Sequence, residues 1–157
     1  MKKIIVSSLC IIILCSYIFY RYHDKKPFRC DAQLISHIEQ NNSKLELNIH
    51  ANVIFMLNKE GALSLAGSVK HDGKEYLVSR TVFFTTHSSG LSNINKTTIT
   101  HENVNKSDEV PQEVWLKYIL PAALGAEFYS EMYKMNKNGM LVQMLSNPLF
   151  VCVRVEN

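Results

Sequence analysis

From Leu45 onward every second residue is apolar: Leu45, Leu47, Ile49, Ala51, Val53, Phe55 and Leu57 are separated by polar positions such as Glu46, Asn48, His50 and Asn52. Strand side chains point alternately to opposite faces, so this run specifies a long strand with one buried and one wetted face. Such a strand needs neighbours with a matching face, and the chain supplies them. Asn58-Lys59-Glu60-Gly61 is a turn, Leu63, Leu65 and Val69 carry a second strand, Asp72-Gly73 is a hairpin turn, and Tyr76 to Thr86 is a third strand. Lys96 to His101, Phe128 to Met135, Met140 to Leu145 and Leu149 to Val155 follow, which predicts about seven strands. Two short helices are expected between them. One runs from Asp31 to Asn41, with Asp31 as its cap and Leu34, Ile35 and Ile38 on one face. The other starts at Pro111-Gln112-Glu113 and carries Val114, Trp115, Tyr118 and Ile119 until Pro121 and Gly125 interrupt. The expected fold is α+β, mainly antiparallel β, a sheet curled into a small barrel or packed on a helix.

A different pattern precedes this. Ile4 to Tyr20 is an uncharged run of 17 residues, with Lys2 and Lys3 before it and Arg21, Lys25, Lys26 and Arg29 after it. As a helix it spans roughly 26 Å, the short end of what crosses a bilayer. No A-x-A pattern offers a cleavage site, and Leu9 and Leu14 rather than small residues precede Cys10 and Cys15. The run therefore reads as one N-terminal transmembrane helix, with residues 1–29 forming the anchor and its flanks and residues 30–157 forming one folded domain. Cations flank it on both sides, so charge alone does not orient it. The same division disposes of nucleic acid as a direct partner. Beyond residue 29 the chain has 11 Lys and Arg against 13 Asp and Glu, so its basic excess lies beside the apolar run.

Chemistry-bearing residues do not converge. His23, His37, His50, His71, His87 and His101 are never closer than 13 residues, so no metal-binding pair at helical or strand spacing exists. His87-Ser88-Ser89-Gly90 lacks a nucleophile-elbow pattern and reads as a polar loop, and the glutamates are scattered over turns and polar faces. No enzyme activity and no cofactor are expected. Phe128 and Met132 should face one side of their strand, with Tyr129, Tyr133 and Met135 on the other; one set fills the core, and the second lines a cavity, meets a partner or stays exposed. Cys30 and Cys152 lie near opposite ends of the domain, where they suit either an end-to-end staple or two unpaired buried thiols.

The apolar N-terminal run, the Cys just after it, Gly61-Ala62-Leu63-Ser64-Leu65-Ala66-Gly67-Ser68-Val69, Ser79-Arg80-Thr81-Val82-Phe83-Phe84 and Asn147-Pro148-Leu149-Phe150-Val151-Cys152 together resemble the FidL-like family of enterobacterial membrane proteins. Size and layout are more distantly similar to the PsaF, MyfF and ToxS companions of ToxR-like regulators. The resemblance implies a single-pass inner-membrane protein with its domain in the periplasm and a bond between Cys30 and Cys152. It also implies a partner, the periplasmic domain of a ToxR-like transcription regulator of virulence or fimbrial genes, which the companion stabilises or activates. In some such pairs a joint β-barrel holds a small amphipathic ligand such as a bile salt. The competing expectation is a periplasmic barrel that senses a bile salt or lipid without a protein partner. The family offers no catalytic residue.

Overall fold

The computed structural model describes residues 11–19, 28–40, 43–56, 58–91, 94–145 and 147–155. Eight antiparallel strands form a closed barrel in simple sequence order. They are β1 (Phe28–Gln40), β2 (Ser43–Phe55), β3 (Glu60–His71), β4 (Lys74–Ser88), β5 (Ile94–Val104), β6 (Glu127–Lys134), β7 (Gly139–Met144) and β8 (Pro148–Arg154). The seven expected strands are all present as β2 to β8.

The eighth corrects the reading of Asp31–Asn41 as a helix. Residues 28–40 pair without interruption with β2, from Phe28 opposite Phe55 to Gln40 opposite Ser43. Leu34, Ile35 and Ile38 fit a helical face, but Cys30, Ala32, Leu34, Ser36 and Ile38 also fit period two. Backbone pairing along all of β2 outweighs the weak local preference. The second expected helix exists as two consecutive turns, an α-turn at Gln112–Val114 and a π-turn at Trp115–Ile119, ended by Leu120 N–H donating to Trp115 O at 2.9 Å.

Five long strands and three short ones make the barrel asymmetric. Among the described residues β8 pairs with β1 at Cys30 and Asp31, with one further bond at Arg29, and β6 pairs with β5 from Ile94 to Thr98. The far halves of β1 and β5 therefore flank a gap that the short strands do not reach. The segment 105–126 covers the barrel beside it as a plug, inserting Val110, Val114, Trp115 and Leu120 into the core. They join Leu45, Ile49 and Val53 of β2, Val69 of β3, and Val78 and Val82 of β4. Burying each such side chain contributes about 1.5–3 kcal/mol.

Two glycines of the third strand are required by close approach. The Phe84 ring occupies the space a side chain on Gly61 would need, and a Cβ on Gly67, whose φ is +155°, would strike the backbone of Asn48 and Ile49.

The N-terminal apolar run is helical over residues 11–19, and the rest of Ile4–Tyr20 lies outside the described residues. Among those described, no helix is long and apolar enough to cross a membrane.

Candidate docking edge, buried latch and cavity

Cys30 and Cys152 are joined in a disulfide, with their Cα atoms 5.5 Å apart and both side chains fully buried. The bond sits at the barrel's shortest seam, where β1 and β8 share two residue pairs. Beyond it β1 has one side unpaired. Val155 N–H donates to Arg29 O at 3.0 Å, so the odd-numbered residues of β1 direct their backbone groups toward β8 and the even-numbered ones toward β2. The N–H and C=O groups of Gln33, Ile35, His37 and Glu39 accordingly face the gap. Among the described residues no backbone hydrogen bond reaches them from that side. Ile35 is 77% exposed on this edge. Extended chain of a second protein is the natural complement to such a row of unpaired groups.

A buried ionic cluster holds the plug in place. Arg80 stands on the inward phase of β4 between Val78 and Val82. Its Nη2 donates to Asp108 Oδ1 and to Val110 O, both at 2.8 Å, and its Nη1 donates to Gln112 Oε1 at 2.9 Å. Its guanidinium lies 4.6 Å from the centre of the Trp115 ring. Glu102 Oε2 is 3.8 Å from Nη1. This carboxylate points inward because the β4–β5 register shifts between Phe83 and Phe84, setting Ile99 opposite Phe84 but Glu102 opposite Val82.

Burial pushes the Asp108 carboxyl up, but hydrogen bonds from Arg80 and Ser79 N–H, the Arg80 charge and the Val110 N–H together outweigh it. Asp108 titrates below the ordinary 3.8. Among the described residues nothing hydrogen-bonds the buried Arg80 Nε, Glu102 Oε1 and Trp115 Nε1 atoms.

The other half of the barrel holds a partly open apolar cavity of about 70 Å³, walled by Phe55, Phe84, Ile99, Phe128, Met132 and Phe150 among others. Its polar feature is a buried hydroxyl pair, Thr97 Oγ1 and Ser130 Oγ, 2.6 Å apart. Pockets for drug-sized ligands run to about 300–1,000 Å³, so a bile salt would enter only if the barrel widened.

The sequence-predicted candidates fall where their phase puts them. Phe128 and Met132 face the cavity, whereas Tyr129, Tyr133 and Met135 are exposed. Tyr133 shares an outer apolar row with Leu141 and Val151, which the register sets side by side. The histidines stay apart: His101 stacks on Phe83 at 4.2 Å, His71 lies 3.0 Å from the Ser43 hydroxyl, and His23 lies outside the described residues. No group able to hold a metal exists among the described residues.

Sequence reasoning missed Arg80, although it interrupts the inward apolar series Tyr76, Val78, Val82 and Phe84. Glu102 gave no such signal, because the irregularity that turns it inward reverses the strand's phase.

A family model described as FidL-like putative membrane protein matches residues 67–152. The matched stretch runs from Gly67 in β3 to Cys152 in β8. It contains Arg80, Glu102, Asp108 and the Trp115 plug. No curated protein matches the chain.

Proposed function

The chain belongs to the FidL-like membrane protein family, and from that premise we propose that it is a single-pass inner-membrane accessory protein. Its periplasmic barrel binds and stabilises the outer domain of a ToxR-like transmembrane transcription regulator. The observation that carries this reading is the unpaired edge of β1, where Gln33, Ile35, His37 and Glu39 offer backbone groups to an incoming strand. Edge pairing supplies affinity through the main chain, and two proteins held in one membrane meet at high effective concentration, so a modest interface suffices. The apolar helix 11–19, with Ile11, Ile12, Ile13 and Leu14 each more than half exposed, suits a lipid solvent. A disulfide that closes the barrel suits an oxidising compartment.

Ile35→Pro tests the proposal. It removes an N–H directed at the gap and leaves the β1–β2 ladder intact, because Ile35 does not bond toward β2. The expected result is a folded protein that no longer co-purifies with a ToxR-like regulator expressed in the same membrane and no longer extends that regulator's half-life. A regulator half-life unchanged by deletion of this chain refutes the reading.

The autonomous sensor has the apolar cavity in its favour and the cavity's volume against it. Bile salt or lipid retained by the purified full chain, in the absence of any regulator, would favour the sensor.

A further inference from the structure

The strand register places several turns at one end of the barrel. Phe28 lies opposite Phe55, Phe55 opposite Gly61 and Gly61 opposite Phe84, so the start of β1 is level with the β2–β3 turn and with the last part of β4. From there Ser88 pairs with Asn95, Ile94 with Glu131, Lys134 with Met140 and Gly139 with Val153. The β2–β3, β4–β5 and β6–β7 turns therefore form one rim. The chain enters the barrel at that same rim, and Arg154 N–H closes it by donating to Asn138 O at 2.8 Å.

Each of these turns carries an exposed apolar side chain: Met56 at 44%, Leu91 at 64% and Met135 at 60% exposure. Exposed cations surround them, namely Arg29, Lys59, Lys134, Lys137 and Arg154. None of the five forms an ion pair among the described residues. At the opposite end Lys44 pairs with Glu39 at 3.0 Å and Lys70 with Glu46 at 3.9 Å, whereas Lys74 and Lys117 lie over the rings of Tyr76 and Tyr118. Apolar tips ringed by unpaired cations fit the boundary between acyl chains and anionic headgroups. The eight residues 20–27 between the N-terminal helix and β1 reach at most about 30 Å, so an inserted helix keeps this rim rather than the plugged end near the bilayer.

We propose that the rim formed by Met56, Leu91 and Met135 with Lys59 and Lys137 rests on the membrane and inserts its apolar tips into an anionic lipid surface. The barrel would then stand upright, with the β1 edge held at a fixed height for a partner in the same membrane. This rests on the anchored reading of the N-terminal run.

The test uses the full chain with Cys10→Ser and Cys15→Ser and the disulfide kept oxidised. A single environment-sensitive fluorophore is attached at Met56→Cys, Leu91→Cys or Met135→Cys, at Lys74→Cys on the far end, or at Ile13→Cys in the helix. The protein is reconstituted into vesicles of phosphatidylethanolamine and phosphatidylglycerol containing a shallow nitroxide lipid for the rim and Lys74 sites, or a nitroxide near the end of the acyl chain for Ile13. The expected result is several-fold stronger quenching at the three rim sites than at Lys74, reduced when Lys59→Glu and Lys137→Glu are added. Rim sites no more quenched than Lys74 while Ile13 is quenched overturn the rim proposal alone. An unquenched Ile13 overturns the anchored reading beneath it. Shielding of the rim only when a regulator is co-reconstituted assigns the surface to a protein instead and also overturns the proposal.

Discussion

Cys30→Ala with Cys152→Ala removes a cross-link between residues separated by 122 positions. In the chain-entropy account, a loop of that length restricts the unfolded chain by about 5 kcal/mol, and replacing a buried sulfur by a methyl adds a small packing loss. The native barrel should persist, because β1 keeps its full ladder with β2 and β8 keeps β7. The loss therefore falls chiefly on the unfolded state. The assay is denaturant unfolding of the full chain in detergent, followed by the fluorescence of Trp115, the one tryptophan in the sequence and fully buried. The midpoint should fall by an amount equivalent to about 3–5 kcal/mol, and the dependence on denaturant should steepen as the unfolded chain expands. Either single replacement should cost nearly as much as both, since each abolishes the bond. A loss below about 1 kcal/mol with an unchanged slope would refute the reasoning and mean that the unfolded chain is already constrained at this seam.

Further expectations concern the interior. Arg80→Met leaves the Asp108 and Glu102 carboxylates buried without their countercharge and should cost about 3–5 kcal/mol by the same unfolding assay, much of it recovered when Asp108→Leu and Glu102→Met are added. The Asp108 carboxyl is depressed in the folded state, so its contribution is complete above the unfolded value of 3.8 and is lost as pH falls through the lower folded value. Trp115 emission should consequently hold steady at pH 5 and change only below about pH 4, and a change already at pH 5 would show that another group controls the plug. Gly67→Ala forces a side chain into the β2 backbone and should destabilise the barrel by more than about 2 kcal/mol, measured as a fall in unfolding midpoint. Ser130→Ala strands the buried Thr97 hydroxyl and should cost about 1–3 kcal/mol, whereas Ser130→Ala with Thr97→Val should be closer to neutral in a double-mutant cycle.

The alternation of Leu45 to Leu57 and its counterparts located seven strands with every boundary within three residues of the structure. This works because the direction of a strand side chain is a local property of the backbone. The same logic set Phe128 and Met132 on one face and Tyr129, Tyr133 and Met135 on the other, and the barrel turns the first set inward. The inward position of Arg80 was also written in that phase. Other features have no local origin. Residues 31–40 satisfy helical and strand periodicity at once, and only the full-length pairing with β2 decides for the strand. Glu102 enters the barrel through a register shift that depends on what lies opposite. The open edge of β1 exists because β6, β7 and β8 are short relative to β1 to β5, and the rim exists because strand pairing brings distant turns level. Local chemistry set which residues face inward; closure of the sheet set which edge, which charges and which turns were left to meet something else.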